Sequence, residues 1–288
     1  MSIRITDYGM DAVATTSSPR TWMYYTAIGT GSAAPDQSDV ALDSEVARTN
    51  SSGGFSVTET GTALTNQNLL RYERTEYRVF NFNTAYNLTE YGHFTSSSGA
   101  NAVFRDLLRQ DPNDPNSQAI TISVQDGDQL QIIRTLTIEV AWEEVADTQT
   151  LTVPGGSDIT LNGTSTIGVS VQSSNVRDAF YYFLWPGVTN LRAHLLKTGT
   201  SSARDVSVNG SYAAYVDHNR DTYVAGTHER TGSATFGTSQ GNQELGGWAI
   251  TYSNRYSKYV YKFVFGSGFT KDSTHTLTIN HKTTWSRG

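Results

Sequence analysis

Residues 129–142 read QLQIIRTLTIEVAW, and this stretch decides the fold class. Apolar side chains recur there with a period of two, and polar side chains fill most of the alternate positions. That period predicts a β-strand with one buried face. The apolar face comprises Leu130, Ile132, Leu136, Ile138, Val140 and Trp142, and the other comprises Gln131, Thr135, Thr137 and Glu139.

The segment before this strand indicates a turn. Residues 126–128 read DGD, a typical turn sequence, and residues 120–124, ITISV, alternate apolar and polar side chains upstream of it. Together they predict a β-hairpin around Asp126-Gly127. The same alternation predicts further strands in residues 22–28, 167–171, 259–265 and 277–279.

Helix signals are few. Residues 101–110, NAVFRDLLRQ, contain two apolar i,i+4 pairs between a capping Asn101 and a stop at Pro112, and they predict one helix. A second short helix is predicted over residues 39–48. We therefore expect an all-β protein with one or two short helices.

The chain is predicted to contain two tandem domains. TLTIEVAW at 135–142 and TLTINHKTTW at 276–285 each follow a turn that contains Asp, which suggests a duplicated unit. A chance recurrence of Thr-rich alternation is the alternative. We expect two antiparallel β-sandwich domains, an N-terminal one over residues 1–147 and a C-terminal one over 148–288.

Composition limits the function classes. The formal net charge is -6, charged residues make up 17%, and no Lys/Arg cluster typical of nucleic-acid binding occurs, so no nucleic-acid partner is expected. There is no Cys, which excludes disulfides and a Cys nucleophile. No apolar run is long enough to span a bilayer, and residues 1–11 lack an apolar signal core, so we expect synthesis in a cytoplasm and no membrane insertion.

The sequence predicts no catalytic, cofactor-binding or metal-ligating residue. It contains no nucleophile-elbow motif and no phosphate-binding loop. The six histidines are His93, His194, His218, His228, His275 and His281. His275 and His281 share a parity on the last strand, where core-edge or exposed positions are favoured over a metal pair.

Three further features have a structural and a chemical interpretation. Glu143-Glu144 and Glu73/Glu76 should point to opposite strand faces, which disfavours a glycosidase pair. The acidic loop 111–116 is interpreted as a turn rather than a Ca²⁺ site. Aromatic residues in 181–185 and 252–265 belong to the core or to subunit contacts, with stacking on sugars as the alternative.

Three segments carry a resemblance to a known family. They are AIGTGSAAPDQSDVALDSEVAR at 27–48, NLTEYGHF at 87–94 and VQDGDQLQI at 124–132. In this order they resemble the N-terminal part of tail-collar and tail-fibre proteins of tailed bacteriophages. Residues 150–288 resemble phage structural proteins only loosely.

The resemblance implies a non-enzymatic structural protein of the virion. We expect a tail, collar, short-fibre or adaptor protein that acts in assembly and host attachment, located in the tail or neck region. Its partners would be copies of itself, as a trimer or higher ring, and other virion proteins, with a host surface glycan as a further candidate. The alternatives are a capsid decoration protein and a carbohydrate-binding or glycan-cleaving protein of the tail tip.

Overall fold

The computed structural model of the chain describes residues 5–15, 19–64, 69–112, 114, 116–141, 144–151, 158–169, 191–199, 212–252 and 259–287. The fold is all-β, and every strand pair within it is antiparallel. Two short helices, α1 (Asp7–Thr15) and α2 (Pro19–Trp22), precede the strands. The strands are β1 (Tyr25–Gly29), β2 (Glu45–Thr49), β3 (Thr58–Leu64), β4 (Leu69–Asn81), β5 (Tyr86–Leu88), β6 (Glu90–Phe94), β7 (Ala102–Leu107), β8 (Ile122–Val124), β9 (Gln129–Ala141), β10 (Val145–Leu151), β11 (Ile159–Val169), β12 (Leu191–Lys197), β13 (Tyr212–Asp217), β14 (Asn219–Arg220), β15 (Glu229–Phe236), β16 (Glu244–Tyr252), β17 (Tyr259–Thr270) and β18 (Leu277–Thr284).

The first nine strands form three sheets. Their strand orders are β2-β1-β6-β7, β3-β4-β9 and β5-β8. An apolar cluster built around Ile28, Phe80, Leu88 and Val124 joins strands from all three sheets. Facing sheets that share a core in this way form a sandwich-like arrangement.

The remaining strands form a six-stranded sheet, β10-β11-β17-β16-β12-β13, and a three-stranded sheet, β14-β15-β18. Trp248 and Phe263 of the larger sheet pack with Phe236 and Ile279 of the smaller one in a single apolar cluster. No ladder among the described residues crosses from the first nine strands to the last nine, and the change falls between Ala141 and Val145. The strand orders of the two halves differ, so the duplication stays a prediction, as do the two domains.

Strand β9 confirms the central prediction, since it covers Gln129–Ala141 and its polar parity is exposed. Trp142 lies outside the described residues. One position on the apolar face departs from the pattern, because it holds the charged residue Arg134, which is buried. Strands β1, β11, β17 and β18 lie where alternation predicts strands, although residues 170–171 are outside the described part of the chain.

The predicted hairpin at Asp126-Gly127 is wrong. The turn forms, with Gly127 at φ 86°, but β8 pairs with β5 and β9 pairs with β4. Gly127 donates its N–H to the carbonyl of Phe82, and the Phe82 N–H donates to Asp128. The turn therefore separates β8 from β9, and these two strands pair with β5 and β4 instead of with each other.

The helix predicted over 101–110 is also wrong, because these residues form β7. Residues on both faces of β7 are buried, Arg105 and Asp106 among them, so its apolar positions do not alternate. Buried strands lose the period of two that identifies half-exposed ones. Helix α1 packs on β7 and was not predicted, although Thr6 accepts the N–H of Gly9 as a helix cap.

The helix predicted over 39–48 is replaced by a loop and by β2. In this loop the N–H groups of Asp43 and Ser44 donate to the side chain of Glu90 instead of to helical carbonyls. A tertiary partner has therefore outcompeted the local helix. Arg48 and Glu45, both on β2, form an ion pair at 2.6 Å.

Both ends of the described chain meet at α1. The indole N–H of Trp285 donates to the carbonyl of Met10 at 2.9 Å. Arg287 binds the carbonyl of Ile5 at 2.8 Å and the carboxylate of Asp7 at 2.5 Å. Residues after β18 therefore stabilise the N-terminal helix. None of the helices that the structure describes has the length and apolar character of a membrane span.

Candidate functional site

The most distinctive chemistry of the described residues is a set of buried charges in the first nine strands. Glu90, at the start of β6, is fully buried. Its Oε1 accepts the N–H groups of Gly31 at 3.0 Å and Ser44 at 2.7 Å. Its Oε2 accepts the N–H of Asp43 and the Nε–H of Arg105, both at 3.0 Å. One carboxylate thereby binds the two ends of the loop between β1 and β2.

Arg105 extends this group of contacts to the middle of the loop. Its guanidinium binds the carboxylate of Asp39 at 2.6 Å and the carbonyl of Ala33 at 3.2 Å. Arg105 is buried, and its partners Asp39 and Glu90 raise its pKa even though burial alone lowers it. We call Glu90, Arg105 and Asp39, with the backbone they bind, the loop network.

A second network surrounds Glu76, whose exposed fraction is 1%. Its carboxylate binds the guanidinium groups of Arg74, Arg78 and Arg134, and Arg74 also binds Glu59. Three cations and two carboxylates leave a formal charge of about +1, because Arg stays protonated in proteins. Burial and the neighbouring guanidiniums lower the pKa of Arg134 to about 10, although Glu76 opposes the shift.

This Glu76 network fastens sheet β3-β4-β9 to strand β1 and the residue before it. Arg78 donates to the carbonyl of Tyr24 at 2.8 Å. Arg134 donates to the hydroxyl oxygen of Thr26 at 3.0 Å. The Arg134 bond reaches β1 and the Arg78 bond reaches the residue before it, so the charges help to set how the two sheets sit on one another.

His93 lies at the edge of the Glu76 network, next to Arg134. Nδ1 lies 3.0 Å from a guanidinium nitrogen of Arg134, and since Arg only donates, Nδ1 must accept. Burial lowers the pKa of His93 well below its ordinary value, and the charges of Arg134 and Arg78 lower it further. The ring is therefore neutral, with its proton on Nε2, and it stacks on Phe104.

These two networks are suited to holding structure in place. Each carboxylate oxygen of Glu76 and Glu90 already binds guanidinium or backbone N–H groups. A carboxylate whose lone pairs are occupied by permanent cations is a poor general base. The chemistry that the arrangement offers is positioning of the β1–β2 loop and of two facing sheets.

The structure separates the two histidines that share a parity on the last strand. His275 lies before β18 and binds Asp272 at 2.7 Å in an exposed position. His281 lies on the core side of β18 and contacts the ring of His218, with centroids 5.9 Å apart. No group of three metal-ligating side chains occurs among the residues that the structure describes.

The carboxylate pairs are placed as follows. Glu76 is buried and Glu73, on the other parity of β4, is partly exposed, so the two point to opposite faces. Glu144 is exposed, and Glu143 lies outside the described residues. In the acidic loop, Asp114 accepts the N–H of Asn116 at 2.9 Å, a local turn contact.

The aromatic segments are described in part. Residues 181–185 lie outside the described chain. In β17, Phe263 is fully buried in the core, and Tyr261 packs against it and donates to Ser165 at 3.2 Å. Both belong to the sandwich core.

Neither network was predicted as a site. The only signal for them in the sequence is Arg134, a charge on the apolar parity of a strand. Comparisons of the chain with protein-family models, curated proteins and solved structures found no match. The fold and its buried chemistry define the class: an all-β antiparallel protein in which ion-pair networks fix loops and sheets.

Proposed function

We propose that the protein is a non-enzymatic structural component of a tailed-phage virion, a tail, collar, short-fibre or adaptor protein that acts in assembly and host attachment. The proposal rests on the segments 27–48, 87–94 and 124–132, which resemble tail-collar and tail-fibre proteins. One structural observation supports it most directly. All three segments contribute side chains to a single apolar cluster, namely Ile28, Val46, Ala47, Leu88, Tyr91, Val124, Leu130 and Ile132.

The contacts between the first two segments support the same interpretation. Glu90 of the second segment binds Gly31, Asp43 and Ser44 of the first, and β1 pairs with β6 along five residues. Motifs that resemble a family in order along the chain therefore also form one structural unit. Their side chains are used in internal packing, which suits an architectural role.

Assembly requires a surface that other subunits can bury. On the outer face of sheet β3-β4-β9, Phe55 stacks on Tyr77 with centroids 5.2 Å apart, and Tyr77 pairs across the ladder with Ile133. Phe55 is 48% and Ile133 is 59% exposed. We call Phe55, Tyr77 and Ile133 the outer patch. In the proposal a second copy covers it, because a ring of identical subunits repeats one weak contact.

Removal of the gene from a phage that encodes this chain tests the proposal, with the protein supplied from a plasmid as the control. The expected result is particles with filled heads that lack the protein and adsorb poorly to the host. Adsorption should return when the plasmid supplies the protein. Absence of the protein from purified particles of the parent phage would contradict the proposal. Particles with weakened heads and normal adsorption would favour a decoration role instead.

A further inference from the structure

A second group of buried polar side chains lies far from both networks, on the three-stranded sheet β14-β15-β18. Arg220, Gly232 and His281 are neighbours in one row across these strands. Gly232 has no side chain, and the ring of His218 occupies the space above it. A Cβ at position 232 would lie 2.5 Å from His218 Cε1. The ring is therefore held between Arg220 and His281.

The next row on the same face adds a second guanidinium. Arg230 lies two residues before Gly232 on β15 and pairs with Thr283 on β18. The end of α1 and Trp285 cover this corner of the sheet, and Arg230 donates to the carbonyl of Ala14 at 3.4 Å. Between these groups lies a cavity of about 20 Å³ that is partly open to solvent. A single water needs about 10–15 Å³ by the same measure, so only a small group fits.

The side chains that carry hydrogen-bonding groups into the cavity are mainly donors. Arg220 and Arg230 are cations, and burial together with the charge of Arg230 lowers the pKa of Arg220 to about 10. Burial lowers the pKa values of His218 and His281 to about 4, so each neutral ring still has one N–H to donate. The nearby carboxylate of Asp221 is exposed and accepts the hydroxyl of Thr231.

Two of these groups lack the partner that burial requires. His218 is 7% exposed, and neither ring nitrogen has a hydrogen-bond partner. The buried Nε–H of Arg230, a residue that is itself only partly buried, has none either. An unsatisfied buried polar group costs about 1–3 kcal/mol, and more when it is charged. Both side chains line the cavity, so an acceptor placed in it could take hydrogen bonds from both.

We propose that this cavity, which we call the His218 pocket, binds a single carboxylate group. A carboxylate matches a guanidinium in planar geometry, and because the cavity is partly open to solvent, the rest of the ligand can stay outside it. The group would come from a small organic acid or from an acidic side chain of a docking protein. Binding there would link α1 to the last strand. This inference is independent of the proposed function, since it uses none of the three resembling segments.

The test uses the full-length protein and follows the imidazole Cε1–H signals by NMR during titration with formate. The signals of His218 and His281 should move together and saturate, and formate should raise the melting temperature. Benzenesulfonate, an anion too large for the pocket, is the control for ionic strength. N-acetylaspartate amide distinguishes the sources: if it binds as formate does, an acidic side chain can enter, and if only formate binds, the ligand is a small acid.

Two variants and one control make the test specific. Arg230→Gln and His281→Gln should each weaken formate binding roughly tenfold, the loss expected for one charge-assisted hydrogen bond. Lys282→Gln, on the opposite face of β18, should bind as the parent does. Equal binding by Arg230→Gln and the parent, or no response of His218 to formate, would overturn the proposal and leave the pocket as a site for solvent.

Discussion

Gly31 and Glu90 lie 59 positions apart in the chain, and the N–H of Gly31 donates to Glu90 Oε1 at 3.0 Å. A Cβ on Gly31 would overlap that same oxygen and the side chain of Asp43. The glycine is thus required by the close approach of a buried carboxylate. This contact joins two of the three segments that resemble tail-collar and tail-fibre proteins.

Gly31→Ala should destabilise the protein by about 1–3 kcal/mol, the usual cost of overpacking. The cause is the overlap with Glu90 and Asp43. Urea denaturation measures the free energy of unfolding. Gly237→Ala is the matched control, because its Cβ would meet only Gln240 Oε1 at an ordinary 3.6 Å. Equal stability of the two variants would contradict the tight packing at Gly31.

Glu76→Gln should be more damaging, at about 3–5 kcal/mol, because it removes the carboxylate that Arg74, Arg78 and Arg134 share. Glu73→Gln lies on the same strand and points to the partly exposed face, so a change within about 0.5 kcal/mol is expected. The free energy of unfolding from urea titration compares them. If both variants lose the same small amount, the Glu76 network does not hold the two sheets together.

Acid should destabilise the protein over a pH range that is set by the pKa values of its buried histidines. The pKa values of His218 and His281 are lowered to about 4 in the fold, while an unfolded His titrates near 6.5. The unfolded chain therefore binds more protons between these values, so the free energy of unfolding falls as pH drops from about 6.5 to about 4.

His281→Gln should reduce this pH dependence, and Lys282→Gln, on the exposed face of β18, is the control because it removes no histidine. The measurement is urea denaturation across this pH range in buffers without carboxylates, which would otherwise enter the His218 pocket. An unaltered slope for His281→Gln would show that its ring is not buried in its neutral form.

The outer patch should govern self-association. Ile133→Lys places a charge among Phe55 and Tyr77, and sedimentation velocity should show smaller assemblies than the parent forms. Val224→Lys is the control, since Val224 is 64% exposed and lies on another part of the chain. Folding should be unaffected in both. Assemblies of equal size in the two variants would exclude the outer patch as the contact.

The alternation in residues 129–142 was enough to predict the fold class and the position of β9. It failed where side chains are buried on both faces, as at Arg105 and Asp106 of β7, because the pattern of buried residues then no longer has a period of two. It also failed in residues 39–48, where a helix was predicted and Glu90 captures the backbone N–H groups. A contact between residues this far apart leaves no local sign.

The Glu76 network and the His218–His281 contact were harder to predict from the sequence. Arg134 breaks the apolar parity of β9, and that irregularity was the one visible sign of the Glu76 network. His281 continues the core parity of Leu277 and Ile279, which agrees with a core-edge position. Its contact with His218 depends on the pairing of three strands, a property that no local pattern contains.

Cryo-EM of the native particle, at a resolution sufficient to fit the fold, tests whether this chain is a structural protein of a phage tail. We expect density for the chain in a symmetric ring or fibre at the tail or neck, with the outer patch between copies. Density spread over the icosahedral shell, or none on the particle, would contradict it.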